Sequence, residues 1–283
     1  MSASFRSSVI LTNPRRLFRL REITPVSETE KEGPIPTPHS VPAKAPSTGG
    51  RLVYAIGDIH GHALVLDDLL RRIAADVEVS RPHEAPRLVF LGDYVDRGPD
   101  SRAVIDRILA LVESGRFEVT ALKGNHEDAL LKFLDDPAYA PSWIENWGET
   151  TLRAYGIASP WREDGAAQAR ARFAAVFPDA HRAFLHELPL RCEIGDYLFV
   201  HAGVRPGVPL SEQTERDLMW IRYDFLESDA DFGKVVVHGH TPAPRPQMRP
   251  NRIGIDTGVY YTGVLTAVRL EGESQRLIQA VER

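Results

Sequence analysis

Five short apolar runs punctuate the chain, and each gives way to a polar block that contains glycine. Leu52–Ile56 leads into Gly57-Asp58-Ile59-His60-Gly61, and Leu88-Val89-Phe90-Leu91 into Gly92-Asp93-Tyr94-Val95-Asp96-Arg97-Gly98. Val119-Thr120-Ala121-Leu122 precedes Gly124-Asn125-His126-Glu127, Tyr197-Leu198-Phe199-Val200 precedes His201-Ala202-Gly203, and Val235-Val236-Val237 precedes His238-Gly239-His240-Thr241. Unbroken apolar runs of this length predict strands buried on both faces, as in parallel sheets covered by helices. Helical spacing follows the first two blocks. Leu66, Leu69, Leu70, Ile73 and Val77 form one apolar stripe, and Val104, Ile105, Ile108, Leu109 and Val112 another, for which Ser101 is the expected N-cap. These are two strand-loop-helix units. Ala- and Arg-rich sequence over 166–188 again has helical spacing, so an insert over about 128–190 is expected to form a small helical cap. Trp143, Trp147, Trp161, Tyr139 and Tyr155 lie in it, read as anchors of that cap in preference to the lining of a substrate groove.

Parallel strands deliver their carboxyl ends to one edge of a sheet, where loops gather residues distant in sequence into one pocket. The blocks that meet there supply Asp, His and Asn. Those are ligand types for two divalent cations side by side, an arrangement suited to hydrolysis of a phosphate ester. Two cations that close need a shared carboxylate, and Asp93, directly after a buried strand, is the expected bridge.

At these blocks the chain resembles the phosphoprotein phosphatase family of binuclear metallophosphoesterases, most of all its short bacterial and phage-type members. The resemblance runs from about residue 51 to the C-terminus. It implies a four-layer α/β/β/α sandwich of two mixed sheets, the calcineurin-like fold, with residues 252–256 and 264–270 as consecutive strands of the second sheet. It implies Asp58, His60 and Asp93 as ligands of one metal and Asp93, Asn125, His201 and His240 as ligands of the other, with Mn the expected ion and Fe or Zn as alternatives. It further implies that His126 protonates the leaving alkoxide, that Asp96 orients His126, and that Arg97 binds phosphate. A second phosphate-binding arginine falls among Arg205, Arg216 and Arg222, with Arg222 favoured. Pro242 stands where many other metallophosphoesterases have a further ligating His. The implied activity is hydrolysis of phosphoSer or phosphoThr, with phosphoTyr as a further substrate class, in a phosphoprotein or phosphopeptide by a metal-bridging hydroxide. The runner-up is a symmetrical diadenosine tetraphosphatase or other nucleotide pyrophosphohydrolase, ranked second because the first block continues as Gly61-His62-Ala63-Leu64. A non-catalytic binding module comes last, since every ligand position is filled.

Composition adds limits. The 283 residues suffice for one large α/β domain, and 43% hydrophobic with 26% charged residues is ordinary for a soluble globular chain. A net charge of −5 gives no general field for nucleic acid, so no nucleic-acid partner is expected. No apolar run reaches membrane-spanning length, and the lone Cys192 fits a reducing compartment, so a cytoplasmic protein with no membrane partner is expected. Residues 1–50 differ in kind: Pro34, Pro36, Pro38, Pro42 and Pro46 follow a stretch with Arg15, Arg16, Arg19 and Arg21. The expectation is an extended or disordered tail ahead of a domain over 51–283. His39, His62, His83, His181 and His186 are read as ordinary surface histidines, and His238 as a packed, hydrogen-bonded one.

Overall fold

A computed structural model describes residues 45–157 and 165–282. In chain order the elements are β1 (Leu52–Ile56), α1 (Ala63–Ser80), β2 (Arg87–Phe90), α2 (Ser101–Ser114), β3 (Glu118–Ala121) and α3 (Asn125–Asp135). Then come α4 (Ala140–Trp143), a π-helical turn (Ile144–Gly148), α5 (Glu149–Ala154), α6 (Gly165–Val176) and α7 (Asp179–Glu187). The chain continues through β4 (Arg191–Ile194), β5 (Tyr197–Val200), α8 (Glu215–Trp220), α9 (Tyr223–Leu226) and β6 (Val235–His238). It ends with β7 (Gln247–Met248), β8 (Arg252–Gly254), α10 (Val259–Thr262), β9 (Val264–Glu271) and β10 (Ser274–Val281).

The strands form two five-stranded sheets, ordered β10-β9-β1-β2-β3 and β4-β5-β6-β8-β7. Side chains alternate across each strand, and that alternation sorts β1 between two cores. Val53 and Ala55 face the other sheet, meeting Phe199, Val237 and Ile255, whereas Leu52, Tyr54 and Ile56 pack under α1 and α2 with Leu66, Leu69 and Ile105. A third cluster, including Leu198, Val236, Leu218 and Phe225, covers the outer face of the second sheet. The four layers expected from the sequence are present. Among the described residues no helix is long and apolar enough to cross a membrane.

Three expectations need correction. β9 and β10 belong to the first sheet, because β9 pairs antiparallel with β1 from Leu52↔Glu271 to Ile56↔Ala267, and only β7 and β8 of the late strands join the second. Ser101 is the first residue of α2, not its cap; Asp100 holds the cap position, and the Ser101 hydroxyl accepts the Asp96 N–H at 3.1 Å instead. His181 is buried, with Nδ1 2.8 Å from the Tyr155 hydroxyl and Nε2 2.8 Å from Asp106, so it ties α7 to α2 and is no surface residue.

The helices α3 to α7 pack as a group on the first sheet, and Trp143, Phe133, Phe173 and Tyr155 form their aromatic centre. Trp161 and the tail through residue 44 lie outside the described residues. Residues 47 and 48 lie against the turns of both sheets. Thr48 is buried, exchanging hydrogen bonds with Gly272 between β9 and β10 at 3.2 and 3.1 Å. The Ser47 N–H donates to Asp196, between β4 and β5, at 2.9 Å, and the Ser47 carbonyl accepts from the Asp196 N–H at 2.8 Å.

Candidate metal centre

β1, β2 and β3 run parallel, and so do β5, β6 and β8, so the loops after them meet at one edge of the sandwich. The backbone there is tightly constrained. A Cβ on Gly57 would stand 2.6 Å from the Ile255 carbonyl oxygen, and one on Gly239 would stand 2.0 Å from an Asp58 carboxylate oxygen, so both blocks require glycine for close approach. Among the described residues six other than glycine have positive φ, and five of them lie at this edge: His60, Asp93, Asp96, Arg97 and His240. Such conformations persist where surrounding structure over-determines them, and they cluster at functional sites.

Asp93 sits at the centre. Its Oδ2 lies 3.6 Å from His60 Nε2 and its Oδ1 lies 3.4 Å from His201 Nε2. His201 Nε2 in turn lies 2.9 Å from Asn125 Oδ1 and 3.2 Å from His240 Nδ1. Ligand atoms of His60, Asp93 and His126 fall within 4.8 Å of one another, as do those of Asp93, His201 and His240, so Asp93 is common to both groups. The six residues named as ligands from the sequence are all buried, and His240 and Asp58 are joined by a 3.0 Å bond from the His240 N–H to Asp58 Oδ2.

The donor set fits divalent cations on three observations. Asp58 Oδ1 is buried without a hydrogen-bond partner among the described residues, an expensive arrangement unless a cation faces it. The other ring nitrogens of two histidines are tied to backbone carbonyls, His60 Nδ1 to Val95 at 2.9 Å and His201 Nδ1 to Leu91 at 2.8 Å. An N–H donated there fixes the tautomer and leaves the Nε2 lone pair directed at Asp93. Burial, finally, keeps the imidazoles neutral: it pushes His60 down to about 3 and His240 to about 2, and lowers His201. Burial also pushes Asp58 up, helped by the charges of Asp256 and Asp93, and raises Asp256 to about 6. A cluster of carboxylates that repel one another this way lacks positive charge, and cations supply it.

His126 stands beside this cluster with Nδ1 2.7 Å from Asp96 Oδ2 and Nε2 3.9 Å from Asp93 Oδ2. Burial disfavours its charged form, but Asp93 and the hydrogen-bonded Asp96 outweigh that and raise its pKa. Asp96 is fully buried and held from the helical insert, accepting from the Thr151 hydroxyl at 2.6 Å and Trp143 Nε1 at 3.2 Å. Arg97 is exposed at the mouth, its guanidinium 4.4 Å from the Tyr260 ring centre. Of the three competing arginines, Arg222 lines the cavity and donates from Nε to His240 Nε2 at 3.1 Å. Arg205 is engaged by Asp217 at 2.6 Å and Asp224 at 3.3 Å, and Arg216 lines an outer groove. The cavity, about 160 Å³, is bordered by His60, Asp93, Arg97, His126, Trp147 and Arg222, among others. His238 faces away, packed on Phe225 and hydrogen-bonded by Arg252 at 3.3 Å.

Sequence reasoning passed over several residues here. Glu127 accepts N–H groups of Asp93, Tyr94 and Gly124 at 2.8, 2.7 and 3.0 Å and so locks the Asp93 loop onto the start of α3; burial and the Asp93 charge push it up to about 8, against those donors. Asp256 borders the cavity, and a signal existed for it, since it follows the run Ile253-Gly254-Ile255 as the other acids follow theirs. Trp220 and Tyr260 also border the cavity, and so does Trp147, which the sequence suggested as an anchor of the cap and not as lining.

Residues 52–264 match the family model for calcineurin-like phosphoesterases. The serine/threonine-protein phosphatase 1 of Salmonella typhimurium is 30% identical over 244 residues, with 83% of this chain and 99% of that protein covered. The asymmetrical bis(5'-nucleosyl)-tetraphosphatase PrpE of Anoxybacillus flavithermus is 27% identical over 231 residues, covering 76% and 88%. Among solved structures, a candidate diadenosine tetraphosphatase superposes with a TM-score of 0.58 at 22% identity, over 85% of this chain and 100% of that one, a likeness of fold. The chain therefore belongs to the calcineurin-like phosphoesterase family and is a hydrolase of the metallophosphoesterase class.

Proposed function

We propose that the chain is a phosphomonoester hydrolase acting on phosphorylated side chains of proteins. The observation that carries this reading is the His126–Asp96 pair. Asp96 is fixed by Thr151 and Trp143, and it holds His126 with Nε2 toward the cavity. An alkoxide leaves poorly without a proton, whereas a phosphate leaving from an anhydride needs one less, so a donor anchored this firmly suits an ester. The surroundings support the same reading. The outer groove beside the cavity is lined by four acids, Asp128, Glu215, Asp217 and Asp224, as well as by Lys132, Arg205, Arg216 and Arg222, a mixed-charge surface poorly matched to a polyphosphate chain.

His60, Asp58 and Asp93 would hold one cation, and Asp93, Asn125, His201 and His240 the other. Divalent cations at these positions supply Lewis-acid polarisation of the phosphoryl group and a lower pKa for the attacking water. Arg97 and Arg222 bring guanidinium forks to the free phosphoryl oxygens. Water attacks phosphorus and gives up a proton to solvent, the bond to the ester oxygen breaks, and that oxygen takes the proton from His126 Nε2, which regains one from solvent for the next turnover. Asp96 keeps the imidazole charged and aimed until then.

Cleavage of dinucleoside polyphosphates is the second reading, favoured by the name of the Anoxybacillus relative and by a 28% identical symmetrical bis(5'-nucleosyl)-tetraphosphatase of Janthinobacterium. Parallel assays of phosphoSer, phosphoThr and phosphoTyr peptides and of diadenosine tetraphosphate, each with Mn, separate the two. Turnover of the peptides with kcat/KM well above that for the dinucleotide is expected. The reverse order refutes the first reading.

A further inference from the structure

The insert sends two indoles toward the His126–Asp96 pair from one short stretch. Trp143 is buried and donates to Asp96. Four residues on, within the π-helical turn, Trp147 is half-buried, its ring centre 5.3 Å from that of His126 and 6.4 Å from that of Trp220. The turn is locked in place: a Cβ on Gly148 would meet the Trp143 ring at 2.4 Å, so Trp143 packs on bare backbone there. π-helical turns are uncommon, and many occur at functional sites. Trp220, at the end of α8, completes the wall with its ring centre 6.1 Å from that of His240. Neither Trp147 nor Trp220 has a task in cation ligation, phosphate binding or proton transfer. Both nevertheless border the cavity, and Trp147 does so next to the ring that gives up the proton.

That position decides what the wall can read. The oxygen protonated by His126 is the leaving oxygen, so a group touching Trp147 is one attached close to it. In a tyrosyl phosphate the flat ring is bonded to that oxygen directly. A seryl phosphate offers a methylene and then backbone, and a nucleotide puts its base beyond a whole ribose. Aromatic rings favour centre-to-centre spacings of about 4.5–7 Å, tilted or offset, the range in which these side chains already sit.

We propose that Trp147, together with Trp220, is a specificity determinant selecting phosphate esters whose leaving oxygen is carried on a flat aromatic ring, so that phosphotyrosine is the preferred phosphoprotein substrate. This rests on the reading of the chain as a phosphoprotein phosphatase. Each ring pair contributes roughly two- to tenfold in affinity, and the two indoles together on the order of tenfold.

The test uses the Mn-loaded full chain with phosphoTyr and phosphoSer peptides of matched sequence. Trp147→Leu, which leaves Trp220 in place, is expected to lower the phosphoTyr to phosphoSer ratio of kcat/KM by roughly two- to tenfold, and Trp147→Phe, which keeps a ring, to restore most of it. On the unmutated chain, phenylphosphonate is expected to inhibit about tenfold more tightly than cyclohexylphosphonate, a comparison free of leaving-group reactivity and of any folding defect. An unmoved ratio with equal inhibition constants overturns the role given to Trp147 while leaving the phosphatase reading intact. Cleavage of diadenosine tetraphosphate with no phosphopeptide turned over refutes the phosphatase reading and, with it, this proposal.

Discussion

Replacing Asp96 by Asn gives the sharpest check on the proton-donor assignment. The carboxylate is fully buried and accepts from His126 Nδ1, Thr151 Oγ1 and Trp143 Nε1 at 2.7, 2.6 and 3.2 Å. An amide has the same shape, but its nitrogen donates, so its oxygen must stay on His126 and Trp143 while the Thr151 hydroxyl turns to accept. The charge is also gone. Two unit charges about 4 Å apart interact by about 4 kcal/mol at an effective dielectric constant of 20, which sets the upper scale for the support Asp96 gives a charged His126. Converted to rate, that is on the order of a thousandfold, inside the range found for a positioned acid. The loss must depend on how badly the leaving group needs a proton. With a phosphoserine peptide kcat is expected to fall by roughly 100- to 1,000-fold, and with p-nitrophenyl phosphate, whose phenolate leaves readily, by about tenfold or less. Metal content measured on the same samples should stay at the level of the unmutated chain. An equal loss on both substrates refutes the reasoning, because it assigns Asp96 to the architecture of the site and not to His126.

Chelation should abolish turnover and lower the melting temperature, with Mn restoring both; a cation at a thousand times its dissociation constant stabilises by about 4 kcal/mol, readable by calorimetry. Arg97→Ala should raise KM for phenyl phosphate by roughly ten- to a hundredfold while leaving kcat closer to its original value, since a lost charged hydrogen bond costs about 1.5–3 kcal/mol; an unchanged KM removes Arg97 from phosphate binding. Far from the candidate metal centre, Asp76 accepts from the Tyr54 hydroxyl at 2.6 Å and Arg269 Nε at 2.7 Å, and these bonds hold its pKa down against the opposing effect of burial. A carboxylate with a depressed pKa stabilises the fold above its unfolded value of about 4, and that contribution is lost as pH falls through the folded one. Asp76→Asn should therefore cost about 1–3 kcal/mol at neutral pH, and the gap from the unmutated chain should close below about pH 4 in urea melts.

The site was legible in the sequence because its residues are short-range punctuation: an apolar strand, a glycine, then Asp, His or Asn. Local order announces them, and the fold only has to gather them. What required the coordinates is long-range. Nothing in residues 264–271 says that they pair with a strand more than two hundred positions earlier, so that strand was assigned to the wrong sheet. His181 looked like any surface histidine because its partners Tyr155 and Asp106 arrive from other helices. Ser101 has the right letter for a cap, but the Asp96 loop takes its hydroxyl first. Trp147 was read as an anchor, like Trp143, and the π-helical turn gives the two indoles different surroundings, one closed in the core and one open to the cavity.

The left-handed peptide units at His60, Asp93, Asp96, Arg97 and His240 bear on anyone who breeds this protein for robustness. At about 1–2 kcal/mol apiece, such geometry works against the fold by roughly 5–10 kcal/mol, comparable to the whole margin by which a domain of this kind stays folded. A screen that rewards only survival of heating would drift toward glycine at those five places and return sturdy, inert molecules. Selection for turnover pulls the other way along the same few bonds, so a useful campaign keeps them untouched and looks for its gains at the opposite pole of the sandwich.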